Sequence, residues 1–119
     1  MRTGIVVTSH NEIVEFEDEI TLDKIYKALD DVDDINVIRL SDGIHAYLDG
    51  EGLLKPLNPN IVGSVVADSL GWDFSTYPSG VFHGNILFFG GIDDEGDDLP
   101  LTDAQAGIIL NILSRVAVV

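Results

Sequence analysis

The run Asn85-Ile86-Leu87-Phe88-Phe89 constrains the fold more than any other stretch of the chain. It is apolar without alternation, and Gly90-Gly91 closes it. A strand of that kind is central in its sheet and buried on both faces. Other strands are read on either side of it in the sequence. Thr3-Gly4-Ile5-Val6-Val7-Thr8-Ser9 is β-branched, and Glu12-Ile13-Val14-Glu15-Phe16-Glu17 loosely alternates acid and apolar residues. With a turn at His10-Asn11 the two form a hairpin. Ile35 to Leu40 and Ile44 to Leu48 flank Ser41-Asp42-Gly43, and Asp-Gly between apolar runs is a strong short-range hairpin signal.

Three segments carry helical spacing. Leu22, Ile25, Tyr26 and Leu29 recur at i, i+3, i+4 and i+7 behind Thr21, an N-cap residue type. Asn58-Pro59 predicts the start of a second helix, with Ile61, Val62, Val65, Val66 and Leu70 as its apolar face and Gly71 as its stop. Thr102 and Gln105 have capping-box spacing, ahead of Ala104, Ile108, Ile109, Ile112 and Leu113. Trp72 to His83 has no period and reads as a long loop. The order ββ-α-ββ-α-β-α predicts an α+β fold, a single domain over residues 1–119 with a mainly antiparallel or mixed sheet covered by helices.

Charge bounds the function. Six Lys and Arg stand against 21 Asp and Glu, giving a net charge of −15, yet 45% of the residues are hydrophobic. That apolar content separates the chain from disordered acidic tails. The acidity argues against direct nucleic-acid binding, which needs cations against phosphates, and against anionic membranes. The chain has no cysteine, so it has neither a disulfide framework nor a thiol nucleophile. No leader or membrane-length apolar run is read, and the expected location is cytoplasmic.

Several turns and caps form a recognisable set: Tyr47-Leu48-Asp49-Gly50-Glu51-Gly52-Leu53, Leu57-Asn58-Pro59-Asn60, Gly84 to Gly90, and Leu101-Thr102-Asp103. Over about residues 13–113 the chain resembles a family of small domains of unknown function that recur in bacteriophages, plasmids and other mobile elements. It departs from that pattern at Asp30 to Asp34, where members tend to carry glycines. The resemblance implies a phage-type context, with location in a host cytoplasm, and supplies no catalytic residues.

The acids are segregated. Residues 12–51 hold 13 acids against three bases, and residues 93–103 hold six acids and no base, while residues 52–92 hold two acids and one base. Two readings compete: a solvated surface, and a negative surface addressed to a basic partner, with imitation of DNA as one form of the second. Asp93-Asp94-Glu95-Gly96-Asp97-Asp98 does not have EF-hand spacing and reads as an exposed acidic turn. His10, His45 and His83 fall in no ligand-spaced pair, so neither a metal nor another cofactor is expected. No nucleophile elbow or phosphate loop is present, and no catalytic residue is assigned. Trp72, Phe74, Tyr77 and Phe82 fall in a nearly uncharged stretch and read either as a lid over the core or as a protein-binding patch.

The expected function is that of a small acidic accessory protein of phage or mobile-element type, not an enzyme, that binds another protein, with a basic or nucleic-acid-handling host factor as the candidate partner. Its partner would meet Trp72, Phe74, Tyr77 and Phe82, with Asp30, Asp31, Asp33, Asp34, Asp93 and Asp94 supplying charge. The alternative is a small ligand-binding domain or enzyme with a pocket walled by residues 72–83.

Overall fold

A computed structural model describes residues 3–17, 21–29, 35–49, 58–74 and 81–116. Five strands, β1 (Gly4–Val7), β2 (Ile13–Phe16), β3 (Ile35–Arg39), β4 (His45–Asp49) and β5 (Ile86–Phe89), pair antiparallel in the order β2-β1-β5-β4-β3. Three helices, α1 (Leu22–Ala28), α2 (Ile61–Ser69) and α3 (Asp103–Val116), complete an α+β domain. The non-alternating run is the middle strand, and all four residues of β5 are buried. Both hairpins form. In the first, Thr8 donates to the Glu12 carbonyl and Asn11 takes a positive φ of 66°. In the second, Asp42 and Gly43 both turn left-handed, at φ 59° and 74°, between paired Arg39 and His45.

Strand alternation divides the core into two layers. Ile5, Val7, Ile38, Ala46, Leu48, Ile86 and Phe88 face α2 and α3, and the larger cluster lies there. On the opposite face a row runs straight across the sheet: Val14, Val6, Leu87, Tyr47 and Val37. Helix α1 covers the middle of that row with Ile25 and Leu29. It leaves the outer positions open, so that Val14 is 48% and Val37 40% exposed.

The caps are partly those expected. Thr21 accepts from the Lys24 amide. Thr102 and Gln105 exchange hydrogen bonds reciprocally at 3.0 and 3.1 Å. Helix α2 differs. Its N-cap is Asn60 rather than Asn58, and Pro59 lies before the helix, bridged to His83. Asn60 is fully buried, donating to the Val7 and Gly84 carbonyls at 2.8 Å each and accepting from the Gly63 amide. A Cβ at Gly63 would lie 2.8 Å from both the Asn60 Oδ1 and the Ile86 Cδ1, so only glycine admits this cap. Anchored there, the helix buries Gly63, Ser64, Val66 and Ala67 and leaves Ile61 58% exposed. The apolar face read from sequence is therefore rotated, because cap geometry rather than hydropathy sets the phase. In α3, Ala106, Ile109 and Leu113 are buried, whereas Ala104 is exposed.

Candidate functional site

The acids between β5 and α3 form a constructed loop. Its base closes by hydrogen bonds from Gly90 to the Leu99 carbonyl and from Leu99 to the Gly91 carbonyl, at 2.9 and 2.8 Å. A Cβ at Gly90 would run into the Pro100 carbonyl, so this approach of two backbones needs glycine. Ile92 and Asp98 bridge, and the Asp93 amide donates to the Asp97 carbonyl. The Asp93 carboxylate is turned inward: its Oδ1 accepts from the Glu95 and Asp97 amides at 2.9 Å each. This is the local role that makes aspartate a turn residue. Asp94, Glu95 and Asp97 are left exposed, flanked by half-exposed Ile92 and Leu99.

Strand β4 anchors the loop. His45 and Tyr47, two residues apart, share a sheet face. The Tyr47 hydroxyl donates to Asp98 Oδ1 at 2.6 Å, and its ring stacks on Phe89 at 4.6 Å. His45 meets the same Phe89 edge-on at 5.7 Å. Burial pushes the His45 pKa below its ordinary 6.5, the Arg39 guanidinium pushes it further down, and Asp98 opposes both. The imidazole is therefore mainly neutral at pH 7. Burial, followed by donation to Asp98 and the Asp98 charge, raises the Tyr47 pKa strongly. A phenol holding its proton this firmly is a poor acid and is not present as phenolate at neutral pH, so the pair works as a fixed tie between sheet and loop. From the other side, the Gln105 side chain donates to the Asp42 carbonyl and joins α3 to the β3–β4 turn.

The sequence-derived residues are distributed as follows. Asp93 and Asp94 lie in the acidic loop, one used internally and one exposed. Phe82 is only 1% exposed and sits against Trp72 and Phe74 at ring distances of 5.8 and 4.8 Å. Trp72 and Phe74 are half-buried over the α2–α3 core. Three of the four loop aromatics thus come together around a core residue. Tyr77 and the cluster of Asp30, Asp31, Asp33 and Asp34 lie outside the described residues. A groove of about 230 Å³ runs beside this aromatic group, lined by Ile61, Ser64, Val65, Asp68, Phe74 and Val81. The tie formed by Tyr47 and Asp98, with His45 and Arg39 beside it, was not read from sequence. The i, i+2 spacing of His45 and Tyr47 signals a shared face, but nothing local signals a partner 51 positions away.

Among the described residues, no three His, Asp or Glu side chains gather to hold a metal ion. No described helix is long and apolar enough to cross a membrane. Residues 1–114 match the family model for a domain of unknown function, DUF3846. The chain belongs to that family. The DUF3846 match takes in every strand and all of α3 except its last two residues. No curated protein and no solved structure matches the chain.

Proposed function

We propose that this DUF3846 domain is a binding protein, without catalytic activity, whose basic protein partner docks on the loop 92–98. One observation carries the reading: the loop is held in shape by its own backbone and by Tyr47, while three carboxylates and two aliphatic side chains face outward. A preformed loop loses little entropy on binding. Carboxylates around apolar contacts steer a basic partner and exclude acidic ones. In this reading the domain acts in the cytoplasm of a host as a mobile-element accessory, and its partner is a factor that handles nucleic acid. The test is capture from host lysate with the wild-type chain and with Asp94→Asn/Glu95→Gln/Asp97→Asn. A basic protein retained by the wild type and lost by the variant supports the reading. Equal retention by both refutes it. Competition by duplex DNA would mark imitation of a phosphate backbone.

A second reading, a ligand pocket walled by residues 72–83, is favoured by the groove beside Phe74 and Val81. Ile61→Trp would fill that groove and abolish ligand binding there without touching the acidic loop.

A further inference from the structure

The sheet has two edges, and they are built differently. Along β3 and β4 the Leu40 amide donates to the Ile44 carbonyl, and the register continues as Ile38↔Ala46 and Asn36↔Leu48. Hydrogen-bonded pairs alternate in an antiparallel ladder, so residues 40, 38 and 36 direct their backbone groups to β4. Ile35, Val37 and Arg39 direct theirs outward, away from the sheet. The same alternation holds at the other side: Thr8 donates to the Glu12 carbonyl, so Ile13 and Glu15 are the outward residues of β2.

An open edge is a template for another strand, and charges, prolines and bulges are what usually blunt it. Edge β2 has such protection: residues 12–17 include Glu12, Glu15 and Glu17 and no base. Edge β3 has none of these devices. Its five residues pair one for one with β4, it contains no proline, and its one charged residue is Arg39. Val37 is 40% exposed and ends the apolar row that runs through Leu87 and Tyr47. Around Val37 the strand is also self-complementary. Antiparallel pairing of two copies about this residue sets Val37 against Val37, and each Arg39 against Ile35 of the other chain. In sequence, Asp30, Asp31, Asp33 and Asp34 stand just ahead of Ile35. Antiparallel order thus directs each base toward the acidic end of the other chain, whereas parallel order sets acid beside acid.

We propose that β3 is a homodimerisation edge: two copies of this chain pair β3 with β3, antiparallel about Val37, and join their two sheets into one. The pairing is closed by a two-fold axis and uses about six backbone hydrogen bonds, two from each of three residue pairs. The contact is small, so the dimer is a transient one. A net charge of −15 on each copy opposes association at long range, and salt screens that repulsion while leaving the strand contact in place. Salt therefore strengthens this association, the opposite of its effect on a basic partner at the acidic loop. The inference does not depend on that loop.

The experiment is sedimentation equilibrium of the full chain up to about 1 mM, at about 0.05 and about 0.5 M salt. A monomer–dimer equilibrium should appear, with a dissociation constant on the order of 0.1 mM at the higher salt and about tenfold weaker at the lower. Amide exchange at Ile35, Val37 and Arg39 should slow as concentration rises, with the β1 and β5 amides unchanged. Val37→Pro removes an N–H that β4 does not use, and should leave a folded monomer. If proline disturbs the strand, Val37→Lys decides, since position 37 is exposed and an edge lysine blocks pairing. Arg39→Glu should weaken the dimer about tenfold. Four results would overturn the proposal: a monomer at every concentration and both salts; a dimer indifferent to both Val37 substitutions; growth beyond the dimer, which marks head-to-tail pairing of β3 with β2; or a Val37 amide protected even in the dilute monomer, which marks an edge already closed within the chain.

Discussion

Asn60 shows how much one buried polar side chain can determine. Its amide joins β1, the approach to β5 and the first turn of α2, and every partner is a backbone group. Asn60→Ala leaves two buried carbonyls and one amide unsatisfied, and should cost about 3 kcal/mol in urea unfolding. Tyr47→Phe removes a single, partly exposed bond to a carboxylate and should cost about 1 kcal/mol. Its more specific effect should be faster amide exchange at Asp97 and Asp98, with no change in α2. His45 gives a pH signature. Its folded pKa is depressed, mainly by burial, so below its ordinary value the unfolded chain binds the proton more readily. Stability is therefore lost as pH falls from about 6.5 toward the folded value. Relative to His45→Gln, the wild-type Tm should fall between pH ~7.5 and ~5.5. Parallel pH curves for the two proteins would refute the shift.

At the scale of elements, what could be read from sequence depends on how far apart the partners lie. The Thr102–Gln105 capping box, the Thr21 cap and the Asp42-Gly43 turn, closed by Leu40 and Ile44, all join residues within four positions, and all three form. The central strand was legible because its apolar run lacks alternation. The start of α2 was not, because Asn60 is fixed by Val7 and Gly84, 53 and 24 positions away. Asn58-Pro59 carries the ordinary start signal, and the long-range cap overrides it. The acidic loop was legible as a turn, but its attachment to Tyr47 was not. For the aromatics at 72, 74, 77 and 82 the sequence favours a lid over a patch; Trp72 and Phe74 pack against the buried Phe82 ring, and Tyr77 lies outside the described residues. Two substitutions test this division. Thr102→Ala should cost about 1 kcal/mol, as an exposed cap does. Gly90→Ala should cost considerably more, since the clash is with the Pro100 backbone, which cannot rotate aside. Similar losses for the two would mean that the loop base is softer than its hydrogen bonds imply.

Over the whole molecule, charge acts in two opposed ways. A net charge of −15 on 119 residues repels itself, so added salt should raise the Tm of the free protein by screening. Asp94, Glu95 and Asp97 add to that repulsion, and their exposed carboxylates are not what closes the loop; the Asp93 carboxylate and the backbone do that. Neutralising the three should therefore leave the fold intact and raise the stability slightly, by up to about 0.5 kcal/mol for surface substitutions, with a correspondingly small rise in Tm. If the loop only keeps the protein soluble, that small gain is the whole effect. If it receives a basic partner, the same variant should associate more slowly, with a flatter salt dependence and a nearly unchanged dissociation rate, because exposed charge acts mainly on encounter. Leu99→Ala should do the reverse and speed dissociation, because apolar contacts at the loop base hold the partner after it arrives. The decisive measurement is association and dissociation of the captured partner at two salt concentrations, with the Tm of each variant alongside. A variant more stable yet slower to bind would show that these carboxylates are kept for recognition at the expense of stability. A variant more stable with unaltered kinetics would return the loop to the role of a solvated turn.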